Sequence, residues 1–212
     1  MVRLHLRPAI WLMAASLLLS LHPMSAYSAS KTALVLGDSL SAEYGLVRGS
    51  GWVALLQERL QREQRDLTIV NASISGETTS GGRTRLAALL EKHRPTLVII
   101  ELGANDALRG LSLNATEENL REMISAAKKA HAKVLILGMQ IPPNYGPDYT
   151  QKFSRLFATV AKETHSPLVP FFLEKVALRP ELIQADRLHP TAEAQPLMLA
   201  SVWPTLQPLL GK

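Results

Sequence analysis

The chain has 212 residues and no cysteine. That absence excludes a disulfide framework, thiolate metal sites and a cysteine nucleophile. Charge is sparse: Lys and Arg number 23 and Asp and Glu 18, for a net charge of +5. The basic residues are scattered, with no aromatic-interleaved stripe, so nucleic acid is not an expected partner. Neither H-E-x-x-H nor G-x-x-x-x-G-K-[ST] occurs, which removes the zinc-peptidase and P-loop readings. The nucleophile elbow G-x-S-x-G is also missing, because Ser41 stands where its last glycine would be. No repeat, low-complexity tract or linker interrupts the chain. At 47% hydrophobic and 19% charged residues, the composition is that of one packed domain.

The longest apolar run, Ala9 to Leu21, has 13 residues, short of the roughly 20 that a membrane-spanning helix needs. Arg3 and Arg7 precede it, and the small residues Ser25, Ala26, Ser28, Ala29 and Ser30 follow. Basic head, short apolar middle and small-residue exit are the parts of a secretory signal. Residues 1–29 are therefore expected to be a cleaved signal peptide and residues 30–212 the folded domain, in a periplasmic or secreted protein. Cleavage after Ser28 also fits, with Ala26 at the third position back. Loss of two Arg lowers the charge from +5 to +3. The 183 residues left must be stabilised by their core, and that length can build one.

Short, continuously apolar runs recur along the mature chain: Ala33–Leu36, Leu67–Val70, Leu97–Ile100, Val134–Leu137 and, more weakly, Leu168–Phe171. Such runs suit parallel strands covered on both faces. Between them apolar residues fall at helical spacing. One stripe is Trp52, Val53, Leu55, Leu56 and Leu60. A second is Leu120, Met123, Ile124 and Ala127, with Thr116 as expected cap and Glu117 and Glu118 in the first turn. A third is Phe153, Leu156, Phe157 and Val160. Residues 192–209 read as a final helix that Pro204 bends or ends. The alternation predicts a doubly wound α/β sheet.

Ligands bind beyond the carboxyl ends of strands in such sheets. Gly37-Asp38-Ser39-Leu40-Ser41 follows the first strand, Asn71 to Glu77 the second and Glu101 to Asp106 the third; Asp186-Arg187-Leu188-His189-Pro190 comes late. Ser39 is the candidate nucleophile. A serine hydroxyl needs a base to take its proton, and His189 is suited to that, since an unperturbed histidine, with a pKa of about 6.5, is mostly neutral at pH 7. Asp186, three residues earlier, can orient the imidazole and stabilise its cation. The Ser39 and Gly76 N–H groups and the Asn105 amide are candidate donors to an oxyanion. Taken singly, each residue is more often a cap or turn former. Their convergence at one end of one sheet carries the reading. His93, His131 and His165 lack ligand-like partners and read as surface or helix-end residues, and Arg83 and Arg85 as a solvated helix start.

These blocks, Gly37-Asp38-Ser39-Leu40-Ser41, Gly76, Gly103-Ala104-Asn105-Asp106 and Asp186-Arg187-Leu188-His189, resemble those of the SGNH/GDSL hydrolases. Asn71 to Gly76, Pro143-Asn144-Tyr145-Gly146 and Pro170-Phe171-Phe172 resemble the bacterial TesA group of exported thioesterases, arylesterases and lysophospholipases. The match runs from about Thr32 to Leu209. The resemblance implies a three-layer flavodoxin-like fold with a five-stranded parallel sheet of order 2-1-3-4-5. It implies Ser39, Asp186 and His189 as catalytic residues, with Ser39, Gly76 and Asn105 as the oxyanion hole. It further implies substrate contacts at Leu108, Leu111 and Tyr145, no cofactor, and a monomer acting on small acyl esters or thioesters with transient contact to membrane lipids. Two positions depart from relatives. Ala104 stands where a second Gly is common. Glu43, after the expected helix start at the nucleophile, is expected to put negative charge near the site mouth. Two alternatives follow from the same residues: a carbohydrate O-acetyl esterase, which requires a shallow polar cleft, and a non-catalytic envelope binding protein, which requires a missing or blocked catalytic group.

Overall fold

A computed structural model describes Val2 and residues 31–210. The expected signal segment, Val2 apart, lies outside the described residues. Five strands form one parallel sheet: β1 Lys31–Gly37, β2 Leu67–Asn71, β3 Leu97–Glu101, β4 Lys133–Leu137 and β5 Leu168–Val169. Their order is β2-β1-β3-β4-β5, as the resemblance implied. All five residues of β3 are buried, which explains why this strand reads as an unbroken apolar run with no polar face.

Among the described residues six α-helices flank the sheet: α1 Trp52–Arg62, α2 Thr79–His93, α3 Ala104–Leu108, α4 Leu113–Lys129, α5 Pro147–Glu163 and α6 Gln195–Leu206. Helix α1 packs on α6, while α2 packs on α4 and α4 on α5, which gives the two outer layers. The predicted stripes face the core. Trp52, Val53, Leu56 and Leu60 are buried on α1, and Phe153 and Phe157 meet edge to face at 5.2 Å on α5.

The chain leaves β1 in one direction for β2 and afterwards in the other for β3 and β4. The reversal opens a crevice at the carboxyl ends of β1 and β3, where Gly37 pairs with Glu101.

Three local expectations need correction. Strand β5 stops at Val169, since Pro170 has no N–H for the ladder. Ser112, not Thr116, caps α4: its hydroxyl accepts from Ala115 N. Thr116 is buried and turned toward Asp106, and Glu117 and Glu118 fall in the second turn. Pro204 does not end α6, which runs on to Leu206. The missing N–H at Pro204 frees the carbonyl of Ala200, and Lys175 Nζ donates to it at 3.3 Å. His93, His131 and His165 stand at or just past the ends of α2, α4 and α5, as predicted.

Candidate active site

The first strand delivers Ser39 to the crevice. After Gly37 the chain makes a series of turns over residues 38–46 instead of the expected helix, with positive φ at Glu43 (61°) and Gly45 (71°). Asp38 organises these turns: its Oδ1 accepts from Leu40 N at 3.0 Å and its carbonyl from Ala42 N at 2.9 Å. Gly37 is required by close approach, because a Cβ there would lie 2.8 Å from Glu101 Oε2 and from Ser41 Oγ.

Ser39 Oγ lies 2.9 Å from His189 Nε2, and His189 Nδ1 lies 2.7 Å from Asp186 Oδ2. The other Asp186 oxygen accepts from the backbone N–H groups of Leu188 (2.9 Å) and His189 (3.0 Å). The His189 backbone N–H, and then the imidazole, hold the Asp186 carboxyl down at about 2. It is an anion at any working pH. Tyr44 lies against the imidazole, ring centroids 4.3 Å apart. Gln184 ties the two segments together: its Nε2 donates to the carbonyls of Tyr44 (3.0 Å) and Pro190 (2.9 Å).

The three expected donors converge beside Ser39, each differently placed. Neither the Ser39 nor the Gly76 backbone N–H has an acceptor among the described residues. Gly76 has φ +78°, a conformation glycine adopts freely, and Arg109 Nη2 donates to its carbonyl at 2.8 Å. Asn105 sits in the first turn of α3, a helix the sequence did not reveal. Its Nδ2 donates to Asp38 Oδ2 at 2.9 Å and to the Glu77 carbonyl at 3.0 Å. Both amide hydrogens are thus engaged, so a new oxyanion would have to share or displace one acceptor.

Beneath Ser39 lies a group that sequence reasoning missed. Glu101 is 0% exposed at the end of β3, and its Oε2 accepts from Ser41 Oγ (2.8 Å) and Asp38 N (3.2 Å). Trp52 Nε1 donates to the same Ser41 hydroxyl at 3.1 Å. Burial, then the neighbouring Asp38 charge, raises the Glu101 carboxyl well above its ordinary 4.5. Burial also raises Asp38. The other Glu101 oxygen, Oε1, is buried with no hydrogen-bond partner. Exclusion of water and the nearby Asp38 charge both disfavour an anion here, so the neutral form of Glu101 is favoured relative to a free carboxyl. The chemical signal was in the sequence: a lone acid closing the apolar run Leu97 to Ile100.

A cleft of about 660 Å3 opens at Ser39. Its walls are mostly apolar, with Leu108, Met139, Ile141, Phe171 and Leu173 among them. Leu108 therefore lines it, whereas Leu111 and Tyr145 do not. Leu111 is 44% exposed, and Tyr145 supports the wall indirectly by donating its hydroxyl to the Leu108 carbonyl at 3.3 Å. Glu43 also differs from expectation. Its carboxylate accepts from Gly49 N and Gly51 N, at 2.9 and 2.8 Å, and staples its own loop, so it does not charge the mouth. Ala104 lines the cleft without displacing Asn105. Among the described residues no group of three or more His, Asp or Glu is placed to hold a metal.

The chain is similar to known proteins over most of its length. Esterase TesA of Pseudomonas aeruginosa is 52% identical over 192 residues, covering 91% of this chain and 96% of that protein. The thioesterase 1/protease 1/lysophospholipase L1 of Escherichia coli K12 is 43% identical, covering 87% of each chain. The crystal structure of a TesA superposes with a TM-score of 0.83 at 53% identity, covering 84% of this chain and 99% of that one. Residues 35–196, from within β1 to the start of α6, match one family throughout, and the chain belongs to it: the GDSL-like lipase/acylhydrolase family.

Proposed function

We propose that the protein is a serine esterase that hydrolyses carboxylic esters and thioesters of short to medium acyl chains, aryl esters and lysophospholipids among them, through an acyl-enzyme on Ser39. The observation that carries this reading is the unbroken Ser39–His189–Asp186 hydrogen-bond chain at the mouth of an apolar cleft. His189 Nε2 takes the Ser39 proton as Oγ attacks the acyl carbonyl. Asp186 holds the imidazole by Nδ1 and stabilises the cation that forms. The Ser39 and Gly76 N–H groups hold the tetrahedral oxyanion, and the Asn105 amide joins them by sharing one of its two bonds. His189 then protonates the leaving group, and a water activated by the same nitrogen releases the acid.

The apolar cleft favours acyl chains over the acetyl groups of carbohydrates, which would suit a shallow polar site. Export, read from residues 1–29, places the enzyme in the periplasm or outside the cell. There cytosolic acyl-CoA is out of reach and esters are the principal substrates. The whole catalytic set comes from one chain, which suits a monomer.

Replacement of Ser39 by Ala should lower hydrolysis of p-nitrophenyl butyrate by a factor on the order of 10^4 or more. A retained wild-type rate would overturn the mechanism. An acyl-length series separates the substrate classes: turnover at about six or more carbons fits a cleft of this size, and strict acetyl preference contradicts it.

A further inference from the structure

Arg187 is the cationic side chain in the wall of the cleft. It is exposed, and among the described residues its guanidinium has neither an ion-pair nor a hydrogen-bond partner. Its backbone is unusual. The Asp186 carboxylate, which accepts from both Leu188 N and His189 N, folds the chain tightly enough to force Arg187 to φ +60°. A glycine would take that conformation freely, whereas a side chain with a Cβ costs about 1 to 2 kcal/mol there. A strained, unpartnered arginine beside the catalytic histidine points to a functional role.

Chemistry places that role on one side of the reacting carbon. His189 Nε2 must hand its proton to the departing oxygen, so the leaving alcohol lies toward His189. Arg187 and Leu188, two and one residues before it in the chain, line the same cleft. Asp38, which also lines the cleft, and Asp186, the residue before Arg187, are already held. Asp38 bonds Leu40 N and Asn105, and Asp186 bonds His189 and two backbone N–H groups. Neither forms an ion pair with Arg187.

We propose that Arg187 recognises the leaving group, giving the enzyme a preference for esters whose departing alcohol carries a negative charge. This rests on the acyl-enzyme reading above. The guanidinium would accept a phosphate or carboxylate on the alcohol, and Leu188 and Leu178 would cover its carbon skeleton. Leu178 is 92% exposed at the cleft mouth, available for such a contact.

The test compares two esters of one acyl chain, a 4-acyloxybenzoate and the neutral 4-acyloxybenzamide. The readout is the ratio of their kcat/KM values, in which any damage to Ser39, His189 or Asp186 cancels. Arg187→Gly, which also relieves the strained backbone, and Arg187→Gln should each lower the ratio about two- to fivefold, the effect of one solvent-exposed ion pair. Arg187→Lys should keep most of it. Raising salt from about 20 mM to about 500 mM should lower the wild-type ratio and leave that of Arg187→Gly unchanged. A ratio unmoved by either neutral substitution, or a wild-type ratio insensitive to salt, overturns the assignment. Failure of the acyl-enzyme reading is distinguishable, since Ser39→Ala would then still cleave both esters.

Discussion

Glu101 offers the most discriminating test of how the nucleophile is held. Its Oε2 accepts from Ser41 Oγ and Asp38 N, all in a fully buried setting. Replacement by Leu orphans two buried donors at about 1 to 3 kcal/mol each, offset in part by the apolar volume gained. A net loss of roughly 2 to 4 kcal/mol follows, or about 5 to 12 °C in Tm for a domain of this size. Replacement by Gln is different. Its carbonyl oxygen can still accept from both donors, and its NH2 takes the place of Oε1, the oxygen that has no partner. The expected cost is about 1 to 2 kcal/mol, smaller than for Leu because both donors keep their acceptor. Urea melts of the three proteins at pH 7 measure this directly. Glu101→Gln as unstable as Glu101→Leu would refute the reasoning. The pH dependence has a definite sign. A carboxyl raised above its unfolded value contributes stability that is full below the ordinary 4.5 and declines as pH climbs toward the folded value. Wild type should therefore lose stability relative to Glu101→Gln as pH rises above about 4.5.

Two further outcomes follow from the site. Asn105→Ala should lower kcat by about 10^2 or more with little change in KM, the signature of a donor used in the transition state. A loss below about threefold would make Asn105 a strut between Asp38 and Glu77 only. Asp186 has its folded value depressed to about 2, so its stabilising contribution is present above the ordinary 3.8 and lost as pH falls through about 2. The stability gap between wild type and Asp186→Asn, measured by urea midpoints, should hold steady from pH 8 to about 5 and close between about 4 and 2. A gap undiminished at the acid end would contradict this.

Much of the fold was legible because its signals are local. Parallel strands buried on both faces must be continuously apolar, and helices covering them must carry a stripe of matching period, so both patterns were present in short windows. What failed was decided by distant partners. Thr116 has the composition of a cap, but Asp106 draws its hydroxyl inward and Ser112 takes the cap instead. The turns after Ser39 replace a helix because Asp38 and Glu101, 63 residues apart, bond across the strand ends. Leu111 looked equivalent to Leu108, yet only Leu108 faces the cleft.

The division is physical. Strand and helix alternation, the absence of thiol chemistry and the candidacy of Ser39, Asp186 and His189 depend on residue type and spacing, and the sequence by itself determined them. Tertiary structure decided what depends on burial and on meetings across the chain. It brought His189 to a serine 150 residues away. It engaged both hydrogens of Asn105 and set Arg187 in the cleft wall. It also put Glu101 where water cannot reach, which raises its carboxyl well above the ordinary value, because a charge there would have neither solvent nor cation to stabilise it.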